Sequence, residues 1–407
     1  MLSSSSISHH QEQNQDQEVH FPPDLFPPPP SPSIYFRQLL LSCAHSISHS
    51  DFTAAKRITT SLSANSSPYG DSSERLIHSF TKALNLRLNP PPNLAINSNP
   101  TNDLILQSSY LSLNQITPFI RFTQLTANQA ILEAIDHDRD QTNDIHILDF
   151  DIMHGVQWPP LMQAIADRDP PPSLRITATG TNLDTLRRTG DRLSKFAHSL
   201  GLRFRFFPLL LPHSTNNQTV DDVISHLSAV VLLPNEILAV NCVLYLHRLL
   251  TDREKLCLLL KKIKSMNPKV VTLAENEANH NHPLFISRFE EAVNYYTAVF
   301  ESLEATLPPN SRERMAVEQV WFGKEIEDIV TNEGDDRKER HERLLSWEMM
   351  MRIAGFRHVP LSPFALSQAK LLLRLHYPSE GYNLQVVNDS FFLGWQNQPL
   401  FSVSSWH

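Results

Sequence analysis

At 407 residues, with 41% hydrophobic side chains and a formal net charge of −8, the chain has room for two to three domain-sized units or one large core with an extra layer. Its acidity argues against a surface that is an electrostatic footprint for nucleic acid as a whole, although a local basic groove remains compatible with it. The lack of any transmembrane-length apolar run, and of a basic-then-apolar start, predicts a soluble, intracellular protein with no membrane contact.

Cys43, Cys242 and Cys257 are scattered, as reduced thiols are, and lack zinc-finger spacing. The ten glycines are informative because no two lie closer than ten positions. That spacing excludes the dinucleotide fingerprint, the phosphate-binding P-loop and the nucleophile elbow, all of which need paired glycines.

Residues 1–33, rich in Ser, Gln and Pro, cannot bury enough apolar surface to offset ordering and read as a disordered tail. His9 and His10 within it read as an incidental polar pair. From residue 34 to 138 the pattern is helical: Leu39, Leu40, Cys43 and Ile47 share one face, and Asp51 and Asp71 are N-cap candidates for the next two helices. Without a sustained heptad, these helices read as an antiparallel cap on a core, not a free coiled coil. Residues 89–103 form a Pro- and Asn-rich loop, helices resume at Leu104, and the segment TANQAI (126–131) leads toward the centre of the chain.

The α/β core is expected over residues 139–407. Ile145, Ile147, Leu148 and Phe150 form the apolar run of a strand buried on both faces, interrupted by His146 and Asp149. Gly155 allows a turn, Pro159 and Pro160 open a helix, and the Pro170 to Pro172 run stops it. Leu174, Ile176 and Ala178 start a second strand, so the unit is β-α-β. Asp184 is a candidate cap for the next helix, and Leu202, Phe204 and Phe206 alternate with Arg203 and Arg205 as in a half-exposed strand. Further strands are read at Ile237 to Asn241 and Lys269 to Leu273, separated by a helix with Thr251 and Glu254 as a capping box. Two β-rich pieces, Tyr382 to Val387 and Phe391 to Trp406, complete the pattern as an antiparallel pair at one sheet edge. The fold class is therefore α/β: a doubly wound, Rossmann-like and methyltransferase-like sheet with an N-terminal α-helical cap.

Candidate chemistry is sparse. Asp149 and Asp151 are an acid-base candidate, but are expected to face apart and share no substrate. Glu275, Glu277, His280 and His282 gather after a strand without a helical zinc motif and read as a polar loop, so no metal is expected. Leu246, Leu249 and Leu250, and Leu256, Leu259 and Leu260, match the LxxLL pattern of co-regulator contacts, yet helical leucines of this kind are usually core. Arg187, Arg188, Arg192 and Lys195 line one helix near Arg203 and Arg205 and are the nucleic-acid candidates. The turn DFDIMHG carries one glycine, with Ile152, Met153 and His154 in the approach, which disfavours S-adenosylmethionine. No cofactor is expected.

The run IHILDFD followed by GVQWPPL resembles the VHIID signature of the GRAS family of plant regulatory proteins, and the resemblance extends over roughly residues 34–407. RQLLLSCAHSISHSDFTAAKRI is similar to its first leucine-rich region. Pro283 with Tyr295 and Tyr296, then RERMAVEQ and RKERHE, resemble the PFYRE region, and Trp347, Gly355, Trp395 and Trp406 resemble the SAW region. Within the family the pattern is nearest to the Lateral suppressor (scarecrow-like) type, a regulator of axillary meristem formation. The resemblance implies a nuclear, non-enzymatic transcriptional regulator acting as a protein-binding scaffold. Its partners would be other transcription factors or co-regulators, with a possible homo- or hetero-dimer and DNA reached through them. His146, Asp149, Asp151, Gly155, Gln157, Trp158, Trp347, Gly355, Trp395 and Trp406 are its motif residues here, in structural or partner-binding roles. Direct sequence-specific DNA binding in a groove between cap and core is the alternative, and S-adenosylmethionine-dependent methyl transfer a further one.

Overall fold

The computed structural model describes residues 32–90, 100–136, 144–211 and 219–407. The expected tail lies outside the described residues up to position 31, and Pro32 and Ser33 already belong to the first helix. Helices α1 (Pro32–Ser48), α2 (Phe52–Ala64) and α3 (Ser72–Leu88) follow the predicted periodicity. Asp51 accepts from the Ala54 amide at 3.0 Å and Asp71 from the Glu74 amide at 2.9 Å, so both act as the N-caps their positions suggest. Helix α4 (Pro100–Ile116) begins four residues before the expected Leu104, with proline where no amide is needed. Helix α5 (Pro118–Asp136) contains TANQAI.

The core then alternates: β1 (Asp144–Asp149), α6 (Trp158–Ala166), β2 (Leu174–Gly180), α7 (Leu183–Ser199), β3 (Phe204–Leu210), α8 (Val220–Leu227), β4 (Glu236–Val243), α9 (Arg253–Ser265) and β5 (Val270–Asn276). Two caps differ from expectation. Asn182, not Asp184, caps α7 by accepting from the Thr185 amide at 3.0 Å, and Asp184 sits in the first turn, where its charge favours the helix dipole. Asp252, not Thr251, caps α9, accepting from Glu254 and Lys255 amides at 2.8 and 3.2 Å. In each case neighbouring residues could cap, and the one with extended backbone does.

The remainder comprises α10 (Phe285–Thr306), α11 (Arg312–Ala316), a π-helical segment (Val317–Phe322), α12 (Gly323–Thr331), α13 (Leu344–Ile353), β6 (His358–Val359), α14 (Pro363–His376), β7 (Tyr382–Val387), β8 (Ser390–Trp395) and β9 (Gln398–Trp406). The sheet runs β3-β2-β1-β4-β5-β9-β8-β7, with β6 pairing β9. Strands β1 to β5 are parallel and the last three antiparallel. The order confirms the doubly wound, methyltransferase-like architecture. The expected edge pair is instead three strands: the stretch from Phe391 to Trp406 breaks at Gln396, which takes φ +50°. Strand β9 lies inside the sheet beside β5, and β7 is the edge.

Alternate residues of the central strands serve two layers. Ile145, Ile147, Ile176 and Ala239 pack with apolar residues of α5, α6 and α7, whereas Leu148, Val240 and Leu273 pack with α8, α9 and α13. The cap helices do not stand apart, because α1 to α3 share one cluster with α10 and α12. Ion pairs sew distant stretches together. Arg75 Nε and Nη2 donate to the two Glu318 oxygens at 2.8 and 3.0 Å, with both side chains 2% exposed, and Arg288 donates to Glu333 at 2.7 Å.

Glu318→Ala leaves the buried Arg75 with only the part-exposed Glu304, at 2.7 Å, and should lower stability by about 3 kcal/mol, the lower end for breaking a buried pair. Glu327→Ala, which breaks the exposed Lys82–Glu327 pair at 3.6 Å, should cost less than about 1 kcal/mol. Urea unfolding of the two variants checks the contrast; equal midpoints would refute it.

Candidate functional site

Strand order reverses between β1 and β4, and in open α/β sheets ligands bind outside the carboxyl ends of the strands at such a point. The turn after β1 is held in an unusual conformation there. Asp151, Met153 and Gly155 have φ of +63°, +49° and +61°, a region costly for residues with a Cβ. Only glycine suits position 155, since a Cβ would also lie 2.8 Å from Thr189 Cγ2.

Asp149, 3% exposed, accepts from Trp158 Nε1 and from Asn241 Nδ2, each at 2.8 Å. Asn241 and Gln157 exchange amide hydrogen bonds at 3.1 Å, Thr272 Oγ1 donates to Asn241 at 2.9 Å, and Asn128 Nδ2 donates to the Gln157 carbonyl at 2.8 Å. One network thus joins β1, α6, β4, β5 and α5. Burial pushes the Asp149 carboxyl up to about 7, against the opposing pull of its Asn241 and Trp158 hydrogen bonds and with a further push from the Asp151 charge.

Asp149 and Asp151 line the same small cavity, contrary to the expectation that they face apart. Residues two apart on a strand share a face, and the left-handed turn keeps Asp151 at the cavity mouth, paired with Arg248 at 2.8 Å. Tyr110 from α4, Gln124 from α5 and Trp321 from the π segment close the space, leaving about 40 Å³. That volume suits a few waters, not a nucleoside. Tyr110 packs on Trp321 at 5.4 Å between ring centroids and on His154 at 5.9 Å.

His146 projects to the other side of β1, away from this cavity. Its Nε2 lies 2.8 Å from Thr177 Oγ1, and Arg175, ion-paired with Glu236, donates to its Nδ1 at 2.9 Å. The ring is therefore neutral with its proton on Nε2. Burial, then the Arg175 charge, lowers its pKa to about 3.

Trp347, Trp395 and Trp406 are buried and stand outside the cavity. Trp347 Nε1 donates to the Glu342 carbonyl at 2.9 Å and Trp406 Nε1 to Ser404 Oγ at 2.9 Å, while Trp395 meets Tyr382 edge-on at 4.9 Å. Gly355, at φ +92°, ends α13. The leucines of both LxxLL runs are buried.

Arg187, Arg188, Arg192 and Lys195 lie together on the exposed face of α7. Arg188 donates to the Asp184 carbonyl at 3.3 Å and Arg192 to the His154 carbonyl, so two of the four also hold local backbone. The four residues of the expected polar loop do not converge. Glu275 bonds His247, Glu277 accepts from the Leu344 amide, His280 meets His341, and His282 accepts from the Leu284 amide. Sequence reasoning missed Asn241 and Arg248 at the cavity and Asn128 and Thr272 in the hydrogen-bond network beside it; Asn241 was legible only as a polar residue ending a buried strand.

Residues 36–407 match the GRAS domain family. The chain is 50% identical over 410 residues to Scarecrow-like protein 18 of Arabidopsis thaliana, covering 91% of each. It is 46% identical to Protein MONOCULM 1 of Oryza sativa subsp. japonica, over 91% of this chain and 88% of that one. The crystal structure of SCL7 in Oryza sativa is similar with a TM-score of 0.75 at 37% identity, over 91% of this chain and 99% of that one.

Because the His146 pKa falls from 6.5 to about 3 on folding, its contribution to stability is complete above pH 6.5. It is lost as pH falls toward 3, where the unfolded chain takes a proton the folded chain refuses. His146→Asn should make the acid loss of stability shallower by one proton, about 1.4 kcal/mol per pH unit. At neutral pH the same variant, like Asp149→Ala, should cost about 1–3 kcal/mol. Urea midpoints between pH 7 and pH 4 test both statements, and an unchanged slope would overturn the first.

Proposed function

The chain belongs to the GRAS domain family, and from that premise we propose that it is a nuclear, non-enzymatic transcriptional regulator that works as a protein-binding scaffold and controls axillary (lateral) shoot meristem formation. One observation carries the non-catalytic reading: the crevice where a sheet of this order receives a ligand is filled by the protein's own side chains. Asp149 has both carboxylate oxygens engaged, Asp151 is paired with Arg248, and Tyr110 and Trp321 close what remains. After β2, where a methyltransferase would place an acid for ribose hydroxyls, Asp184 is 84% exposed on the first turn of α7. The nucleus and the meristem role rest on the resemblance of the sequence to the Lateral suppressor type.

A scaffold needs exposed anchors. Leu345, Met349 and Ile353 recur at helical spacing on α13 and are 72%, 56% and 56% exposed, the arrangement with which an amphipathic helix meets a groove. Other transcription factors or co-regulators are the proposed partners, including a second copy or a paralogue, and DNA is reached through them. Among the described residues no helix is long and apolar enough to cross a membrane.

The exposed basic face of α7 favours the second reading, direct DNA contact. Its N-terminal turn abuts the cap, where Gln107 of α4 reaches Thr185 at 3.4 Å. The two readings differ in salt dependence and tightness. The full chain should bind duplex DNA no tighter than about 10⁻⁴ to 10⁻⁶ M at physiological salt, and joint replacement of Arg187, Arg188 and Lys195 by Ala should leave promoter occupancy in cells unchanged. Leu345→Asp with Met349→Asp should leave melting intact and remove co-regulators from pull-downs of plant nuclei. Nanomolar, sequence-selective binding lost in the arginine and lysine variant would replace the scaffold by a DNA reader. Calorimetry with S-adenosylmethionine should show no binding; micromolar affinity would restore the methyltransferase reading.

A further inference from the structure

Beside the filled crevice, a second group of side chains converges. His247 lies in the turn after β4, and Glu339 and His341 lie in the extended stretch before α13. The Nε2 atoms of the two histidines are 3.1 and 3.3 Å from the same Glu339 oxygen. All three atoms lie within 4.8 Å of one another, and the imidazole centroids are 4.3 Å apart.

The geometry points to a zinc site formed by His247, Glu339 and His341, with a fourth coordination position left open. Tetrahedral zinc with bonds of about 2.0–2.1 Å to nitrogen and oxygen separates its ligand atoms by about 3.3–3.4 Å. The two imidazole-to-carboxylate distances are already close to that edge. Each ring is also held from behind, so that Nε2 faces inward. Glu275 accepts from His247 Nδ1 at 2.6 Å and from the His247 amide at 3.2 Å, and His341 Nδ1 meets His280 Nδ1 at 2.9 Å. A carboxylate behind a ligating imidazole is the arrangement that fixes ring orientation and raises ligand basicity at zinc centres.

The donor set selects among ions. Calcium and magnesium take six or more oxygens, or retain several waters, whereas two imidazoles and one carboxylate suit a borderline cation in a four-coordinate site. The His247, His341 and Glu275 side chains are at most 3% exposed and Glu339 is 15% exposed, so entry and the open position lie on the Glu339 side. Zinc there would fasten the stretch before α13 to the ends of β4 and β5, a consequence independent of any partner of α13.

The test uses the untagged full chain, stripped with a chelator and titrated with Zn²⁺ against a chromophoric competitor, then with Co²⁺ as a spectroscopic substitute. One zinc per chain, tetrahedral cobalt bands in the visible and a higher Tm with zinc are expected. Glu339→Gln and His341→Ala should each weaken binding by at least tenfold, and Glu275→Gln by about 10–100-fold, whereas a His9→Ala, His10→Ala double variant should bind as the parent does. If His341→Ala does not fold by circular dichroism, the two glutamine variants decide. Absence of zinc binding by the folded parent, a six-coordinate cobalt spectrum, or loss of binding with the tail histidines while the glutamine variants retain it would each overturn the site.

Discussion

A carboxylate at the end of a strand covered on both faces has to find its hydrogen bonds inside the protein, and much of the centre of this molecule is arranged around that need at Asp149. Trp158 and Asn241 supply the donors, and each is fixed in turn: the indole by opening α6, the amide by Gln157 and Thr272. A polar network of this kind rigidifies when complete and is costly when one member is missing. It ties three neighbouring strands of the sheet, β1, β4 and β5, and helix α6 to α5 of the N-terminal helical region. The crevice is consequently filled as a by-product of what holds the sheet and cap in register.

That dependence explains which parts were legible beforehand. Strands β1, β2, β4 and β5 announce themselves through short apolar runs between turn residues, and the order of strands and helices follows. Motif tryptophans were visible too, but not what they touch. What could not be read was long-range: the role of Asn241 requires knowing that β4 lies beside β1, and the convergence of His247 with Glu339 and His341 requires knowing where the stretch after α12 returns. Short-range misses have a different origin. Asn182 against Asp184, and Asp252 against Thr251, were choices between adjacent good caps, settled by backbone conformation. The turn between β8 and β9 is made without glycine, at Gln396 and Asn397, and Gln396 adopts positive φ because the hairpin demands it; the nearby Gly394 lies inside β8, where a Cβ would come 2.8 Å from the Gln398 carbonyl.

The cap shows how sequence neighbours mislead about spatial ones. Helices α1 to α3 look like an N-terminal unit, yet their apolar faces pack on α10 and α12, and Arg75 and Arg87 reach Glu318 and Glu333 far along the chain. A buried pair such as Arg75–Glu318 contributes less to net stability than to choosing one arrangement over its alternatives. The π segment between α11 and α12 fits that picture: its extra residue per turn sets Trp321 over Tyr110 at the cavity, and π-helical turns are frequent at functional sites.

The position of β9 carries a consequence for synthesis. Strand β5 ends at Asn276, and its outer neighbour does not begin until Gln398. While the intervening chain is being made, the nascent protein holds a buried-type strand whose outer row of amides and carbonyls has no partner. An open edge of this kind is a template for wrong pairing, and long-range strand closure is slow. The ribosome therefore delivers five parallel strands well before the piece that seals them, and the interval is one in which a chaperone has something to cover.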